Sequence, residues 1–598
     1  MSRLQSCAVF SCGFVLVLAG FAVSAAERGV GKRQLVNPAD IYHEIKLPVE
    51  TETAVSRYFP SFLEYQEEML YDPKFGYYGS GRVNFSDDYR TFPNALAPYF
   101  GQMVAQQIFR MWDGMRRAGT LGRDEKFTIA ELGAGTGLLA ESILDYLHRQ
   151  SQESNDIRWR DFNLQTVYIC YDRSPALREA QRRRNLRFGG QFEALRGDAT
   201  DLTQTIPPAS FKGVFLSNEL LDVFGVHKVI LLPSGSAEVA FVVPLLPRKI
   251  WSQIRVHLQP AAEQAVVSGD QAIQKTFLEG RRSEDIYLSR ETLPLFLQAI
   301  AGSEDYASVA HSIRFHEVYL PVRAVPELTE HLKRYAQTYA RELARIGKGV
   351  LTYINLGEEK FIRGAGDALK AGYVLTIDYG SNWNGIMSVA QPHLRIYGPG
   401  SQQSTSTDLL TDLSLGHASI GQQGAGSGAT PAWNELGQIA TLTGAASRGN
   451  PDPYRWPSLN DITTDVNFGD LAAEGLLAGF RTVYFGPQKT LQIGTSVSFN
   501  EKNPGWLLPN RATELGEWLK QFATNGMFKV LLQQKRQTDD AYLYPDTHSE
   551  PLDTGEAKLN VAQRQRAVEI EQRLRDDAGR GSRNPPFGIQ EKARPDLP

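Results

Sequence analysis

Glu131 stands just ahead of three alternate glycines, Gly133, Gly135 and Gly137, in the run FTIAELGAGTGLL at 127–139. An apolar β-type stretch, Phe127 to Ala130, ends on this acid, and a helical pattern of Leu138, Leu139, Ile143, Leu144 and Leu147 follows. Strand, tight glycine turn and helix is the layout that holds a nucleotide-like ligand at the carboxyl end of a strand. The turn needs glycine because a side chain would keep the ligand from the backbone. A carboxylate at this place suits a cation, such as the amino-acid part of S-adenosylmethionine, and would repel a pyrophosphate. Two other readings stay open. GTGLLA at 135–140 fits the G-x-G-x-x-A form of a dinucleotide site, and a glycine-rich packing turn would need no ligand at all.

Further acids follow in an order that suits one site. The run Thr166 to Asp172 reads as a strand that ends on an acid, and a carboxylate there can accept both ribose hydroxyls. Pro175, after Ser174, suits the first position of a helix. Asp198 follows a short strand, where it can face an adenine; alone, such a residue is more often a cap or turn residue. Gly213 to Ser217 reads as a fourth strand running into Asn218, Glu219 and Asp222. With Glu219 and Asp222 at i and i+3 on one helical turn, the two carboxylates would share a face, hold a guanidinium and orient its nitrogen. The competing reading has Asn218 as a helix cap and Glu219 favourably placed at the helix N-terminus.

The elements that must position these residues form an α/β pattern, a doubly wound Rossmann-like sheet with a helical region before it and a helical insertion within it. Residues 27–58 read as a linker and 59–120 as mainly helical, with apolar spacing of three and four from Phe100 to Trp112. The first half of the sheet is expected over 125–232, and a helical insertion over 245–345. Within it, Leu328 to Ile346 reads as one amphipathic helix that covers the sheet. Residues 349–398 return to the sheet and end on Asp378 and Tyr379, where a substrate wall is expected. A low-complexity loop rich in Ser, Gly, Thr and Gln covers 398–455. The main domain is read as closing at 545, and the charged tail over 546–598 is expected to be disordered and outside the core, apart from a helix over Gln563 to Asp577 that does not join the core.

The same segments, in the same order, resemble the MidA-like family of class I S-adenosylmethionine-dependent methyltransferases. The resemblance runs through Phe62–Tyr65 and Leu70–Tyr78, Thr91–Asn94 and Ala97–Gly101, then ELGAGTG, DRSPALR and SNELLDVFGVHKV. It continues in Leu375–Gly380, Arg395–Tyr397 and Asp461–Phe468, and so covers roughly residues 60 to 500. It implies methyl transfer to a protein arginine, with a respiratory-complex subunit as the partner protein. On this reading S-adenosylmethionine is the cofactor. Glu131, Gly133, Gly135, Gly137, Asp172 and Asp198 hold it, and Asn218, Glu219 and Asp222 act on the acceptor. Asn94 stands where the family has Glu, Asp172 where it has Glu, Gly225 where it has Pro, and Asn467 where it has Asp. The rival hypotheses are an inactive, exported or tethered binding protein on this scaffold, and a dinucleotide oxidoreductase.

Composition narrows the partners. The chain of 598 residues carries 63 basic and 67 acidic side chains, a net charge of −4, so no global case exists for nucleic-acid binding. The ten His residues show no H-E-x-x-H spacing and the three Cys no zinc pattern, so a metal is not indicated. Cys170, inside the second strand, reads as a buried structural thiol. Arg3, the apolar run from Cys7 to Ala22 and the small residues Val23 to Ala26 have the three-part form of a signal peptide over 1–26. An uncleaved membrane tether through residues 7–26 is the competing reading. Export across, or tethering to, a bacterial inner membrane is the expected location. It conflicts with a donor made in the cytosol unless the site faces the cytosol, the donor reaches the periplasm, or catalysis is lost.

Overall fold

The structure is a computed structural model, and it describes residues 47–83, 91–278, 282–388, 393–397, 452–492, 512–535, 550, 552 and 559–579. Fifteen strands follow in chain order. The first group is β1 (Phe127–Leu132), β2 (Thr166–Asp172), β3 (Phe192–Arg196), β4 (Phe211–Asn218) and β5 (His227–Leu231). The next is β6 (Ala237–Pro247), β7 (Asp285–Tyr287), β8 (Arg314–Pro321), β9 (Val350–Ile354) and β10 (Leu369–Ser381). The last is β11 (Leu394–Tyr397), β12 (Asp461–Thr464), β13 (Val466–Asn467), β14 (Phe480–Pro487) and β15 (Phe528–Lys535).

The central sheet has the order β14-β15-β10-β4-β1-β2-β3, with β13 beside the end of β10. β3, β2, β1, β4 and β10 are parallel, while β15 runs antiparallel between β10 and β14. Helices fill both faces because the central strands β1, β4 and β10 are apolar on both sides. Along β1, Phe127 and Ile129 enter the cluster built with helix Tyr99–Arg117, and Ala130 and Leu132 the cluster built with helix Leu356–Ala368. The chain reverses its winding between β1 and β4, and that leaves a crevice at the carboxyl ends of the strands. This is the doubly wound α/β sheet expected from the spacing of the motifs.

The insertion differs from the helical one expected over 245–345. Between β4 and β10 the chain builds a second, antiparallel sheet of five strands, order β7-β6-β5-β9, with β8 paired to β6. The first half of the central sheet therefore ends at Asn218, and β5 belongs to the second sheet. β6 is apolar along almost its whole length and buried on both faces, so no alternation marks it. In β8 the inward Glu317 is neutralised by Lys228 of β5 at 2.6 Å, which hides its strand pattern behind charged letters. Leu328 to Ile346 is two helices, Pro326–Arg334 and Ala336–Ile346, and their apolar faces pack on this second sheet.

Two segments read as peripheral are structured. Residues Val49–Tyr58, within the expected linker, form a helix that buries Val55. Within the tail, Val561–Gly579 is a helix whose Ile570 and Leu574 are each 2% exposed against the same cluster. The tail is therefore not wholly outside the core. The leader at 1–26 and all of the low-complexity loop up to residue 451 lie outside the described residues. Among the described residues, no helix is long and apolar enough to cross a membrane.

The helix Phe62–Tyr71 matters most for the site. It opens with a capping box: Ser61 accepts from the Glu64 amide, and Glu64 accepts from the Ser61 amide at 2.7 Å. Glu64 also meets Arg290 at 3.2 Å.

Candidate active site

An open cleft gathers residues from the carboxyl ends of β1, β2, β3 and β4. It encloses about 1050 Å³, including solvent at its mouth. Glu131, Gly133, Gly135, Asp172, Asp198, Asn218 and Glu219 all line it. Tyr71, Tyr78, Thr91, Pro93 and Asn94 close its opposite side.

The glycine turn is left-handed at each alternate position, with φ of +66° at Gly133, +51° at Gly135 and +78° at Gly137. Only glycine adopts this repeat without strain. A Cβ on Gly133 would come within 2.5 Å of Leu220, so the cradle is also sterically tight. Gly137 stands at the start of helix Leu138–Glu153 and does not line the cleft. The turn is held from behind by the helix after β2: Gln181 donates to the Gly135 carbonyl at 2.9 Å, and Asn185 to that of Gly137 at 3.1 Å.

Glu131 forms the floor and is 3% exposed. Tyr168 donates to its Oε2 at 2.8 Å, and the buried thiol of Cys170 lies 3.7 Å from the same oxygen. Burial raises its pKa to about 7, against the pull of the Tyr168 hydroxyl. Asp172 accepts from the Ser174 amide at 2.9 Å and from Gln181 at 3.0 Å, and burial lifts its pKa to about 6. Asp198 caps the short turn that begins at Ala199, accepting from the Thr200 amide at 2.9 Å, and its other oxygen meets Arg173 at 3.4 Å. Cap and cleft wall are here one residue.

On the other side, β4 ends at Asn218 and the chain turns sharply. Glu219 has φ +47°, a left-handed conformation that costs energy for any residue but glycine. Only one short turn, Leu221–Val223, follows, so there is no helix for Asn218 to cap and no helical face shared by Glu219 and Asp222. Glu219 instead faces the cleft, partly exposed, with the Asn218 amide 3.3 Å from its Oε1. Burial and the nearby Asp222 raise its pKa to about 8. Asp222 is buried and does not line the cleft. Burial raises it to about 7, with the Tyr379 hydroxyl and Arg395 pulling the other way.

Asp378 and Tyr379 do not form the expected substrate wall. Asp378 is fully buried, and its Oδ2 accepts from the amides of Leu220 at 3.2 Å and Leu221 at 3.0 Å. The Glu219 amide donates to the Ile377 carbonyl at 2.9 Å, so β10 clips the whole Glu219 hook in place. Tyr379 is buried, hydrogen-bonds Thr463 and carries Arg395 over its ring at 4.5 Å. A carboxylate at a strand end looks the same in sequence whether it meets a ligand or a backbone.

His331, Glu359 and Asp470 come together elsewhere, with ligand atoms within 4.8 Å of one another. Arg334 and Arg363 occupy the other oxygen of Glu359 and both oxygens of Glu474 there. Two guanidiniums and an imidazole facing three carboxylates make an ion-pair network, which joins the insertion to the helices covering the central sheet.

Residues not singled out in the sequence complete the wall. Arg173 lines the cleft, pairs with Glu67 at 2.9 Å and lies over the Tyr71 ring at 4.2 Å. Tyr71 in turn donates to the Val223 carbonyl at 2.8 Å.

The strand order and this cleft define a class I methyltransferase. The donor set fits its cofactor: a buried carboxylate for an ammonium, an acid at the end of β2 for a diol, and a left-handed glycine cradle. Comparison with known proteins agrees. Residues 103–412 match the family described as "Putative S-adenosyl-L-methionine-dependent methyltransferase". The chain belongs to this family of S-adenosylmethionine-dependent methyltransferases, and its cofactor is S-adenosylmethionine. No curated protein matches it. Among solved structures it is similar to an uncharacterized Burkholderia thailandensis protein, with 17% identity and TM-score 0.46, covering 84% of this chain and 96% of that one. A Burkholderia thailandensis protein bound to S-adenosyl-homocysteine gives 16% identity and TM-score 0.43, covering 83% and 95%. Geranyl diphosphate C-methyltransferase from Streptomyces coelicolor gives 9% identity and TM-score 0.25, covering 82% and 100%.

Proposed function

We propose that the protein methylates a cationic nitrogen, the side chain of a protein arginine, with Glu219 as the carboxylate that receives it. The observation that carries this reading is the placement of Glu219. It is the acid at the end of β4 that faces the cleft, it is held in a strained backbone conformation, and no cation pairs with it among the described residues. The bound donor supplies an already activated methyl group, so the protein's work is alignment and exclusion of water. Glu131 would hold the ammonium of the methionine part, Asp172 the ribose hydroxyls and Asp198 the adenine side. Glu219 and the Asn218 amide would orient the acceptor nitrogen in line with the methyl group. Glu219 would then take the proton that the nitrogen loses. Asp222 acts behind it as a positioning group.

The resemblance to MidA-like enzymes supports arginine as the acceptor and a respiratory-complex subunit as the partner. An exported or inner-membrane-tethered location is proposed from the leader sequence alone.

The test is a labelled methyl donor incubated with a cell extract and purified enzyme, with the labelled protein and residue identified by mass. Methylarginine is expected. Glu219→Ala should lose about 100-fold or more of the transfer, while S-adenosylhomocysteine still binds. Full turnover by that variant refutes the role of Glu219, and label on a neutral atom refutes the cationic acceptor.

A further inference from the structure

Helix Phe62–Tyr71 touches both halves of the site at once. Its Glu67 divides two oxygens between two loops. Oε2 accepts from Arg173 at 2.9 Å, in the loop after β2 that follows the ribose-side Asp172. Oε1 accepts from the Gly225 amide at 3.1 Å, in the loop after β4 that follows Glu219 and Asp222. The neighbouring Gln66 is fully buried and also grips the second loop, accepting from the Val226 amide at 3.0 Å and donating to the Phe224 carbonyl at 3.3 Å. Tyr71 repeats the pattern one turn later, with Arg173 over its ring and Val223 at its hydroxyl. Arg173 also reaches Asp198 at 3.4 Å, so it spans the ends of β2 and β3.

Gly225 makes this contact possible. A Cβ there would meet Glu67 Cγ at 2.8 Å and Leu63 Cγ at 3.1 Å. It stands where the resembled pattern has proline, which has no N–H to donate. The preceding Phe224 has φ −65° and ψ 149°, a conformation that either residue accepts after it. The bond from Gly225 to Glu67 is thus a feature that this chain has in place of a proline.

We propose that Glu67 is a positioning residue that couples the cofactor side of the site to the acceptor loop, through the path Asp198–Arg173–Glu67–Gly225. The proposal rests on the cleft being the S-adenosylmethionine site. A ligand that contacts Arg173 or Asp198 fixes the guanidinium. The guanidinium fixes Glu67, and Glu67 fixes the loop that carries the acceptor-side groups. By the same path, disturbing the acceptor loop at Gly225, which does not line the cleft, is expected to weaken cofactor-side binding.

A double-mutant cycle tests it, with S-adenosylhomocysteine binding to the full chain measured by calorimetry. Gly225→Pro removes the amide that Glu67 accepts from and sets its ring against Glu67 and Leu63, and is expected to weaken binding about fivefold, chiefly through Glu67. In an Arg173→Ala background the same change should have little further effect, because the path is already cut. Glu67→Gln keeps the size of this partly exposed side chain and should match Gly225→Pro. Strictly additive losses from Gly225→Pro and Arg173→Ala overturn the coupling. So does a folded Gly225→Pro or Glu67→Gln protein that binds like the wild type. If the wild-type chain itself binds no S-adenosylhomocysteine, the cofactor reading fails together with the coupling, and that outcome is distinct from an additive cycle.

Discussion

Glu131 makes cofactor affinity depend on pH in a calculable way. In the free cleft its pKa stands at about 7, because burial disfavours the charge and the Tyr168 hydroxyl only partly offsets that. The ammonium of the ligand needs the ionised form. Affinity therefore follows the ionised fraction, which rises about eightfold between pH 6 and pH 7.5 for a group of this pKa. At pH 7 binding should release about half a proton, read as a dependence of the calorimetric enthalpy on the ionisation enthalpy of the buffer. Glu131→Gln removes the carboxylate–ammonium interaction, worth about 1.5–3 kcal/mol, and should weaken S-adenosylhomocysteine about 10- to 100-fold at pH 7.5. The pH slope should shrink with it from about eightfold to about twofold, the part that Asp172, with its pKa at about 6, still contributes. A wild-type affinity that is flat from pH 6 to 7.5, or a Gln variant that keeps the full slope, refutes the assignment of Glu131 to the ammonium.

The same residue predicts a stability cost. Its folded pKa is raised from 4.5 to about 7, so the stability it contributes is full below pH 4.5 and is lost as pH rises through 7. At pH 8 Glu131→Gln should therefore stabilise the ligand-free protein by up to about 3 kcal/mol in urea unfolding, with little effect at pH 4.5. Asp378→Ala leaves the Leu220 and Leu221 amides without their acceptor. It should cost about 2 kcal/mol or more by the same measurement, and it should also lower turnover by loosening Glu219. Leu574→Ala, in the C-terminal helix, should cost about 2–4 kcal/mol; an unchanged unfolding midpoint would mean that this helix is not docked.

The cofactor half of the cleft was legible because its chemistry is local. ELGAGTG, Asp172 and Asp198 each sit at a strand end, and strand ends on one sheet edge meet without further information. The acceptor half was less so. Glu219 and Asp222 were expected on one helical face, but the left-handed Glu219 breaks the helix before it starts, and no residue type announces a positive φ at a glutamate. Asp378 was misassigned because its partners are backbone amides, which carry no sequence signature. Arg173 and Glu67 are 106 positions apart, and nothing local marks either as half of a pair. The second sheet was hidden by β6, apolar on both faces, and by the charged letters of β8. The docking of the tail helix, rather than the helix itself, escaped notice because it buries little more than Ile570 and Leu574 within a charged sequence.

The crowding of acids at the acceptor side has a consequence for turnover. Asp222 raises the pKa of Glu219, and both raise that of Asp378, since like charges this close do not all ionise at neutral pH. Arg395 already attends Asp222, and two backbone amides attend Asp378. Glu219, with its pKa at about 8, is the member that a cation from outside would ionise. On the proposed mechanism kcat/KM for a cationic acceptor should therefore rise with pH up to about 8, about tenfold per pH unit well below it, once the cofactor is saturating. Glu219→Gln should abolish that limb along with most of the activity. A wild-type profile that is flat between pH 6 and 8 under saturating cofactor would mean that Glu219 is not the group that meets the acceptor.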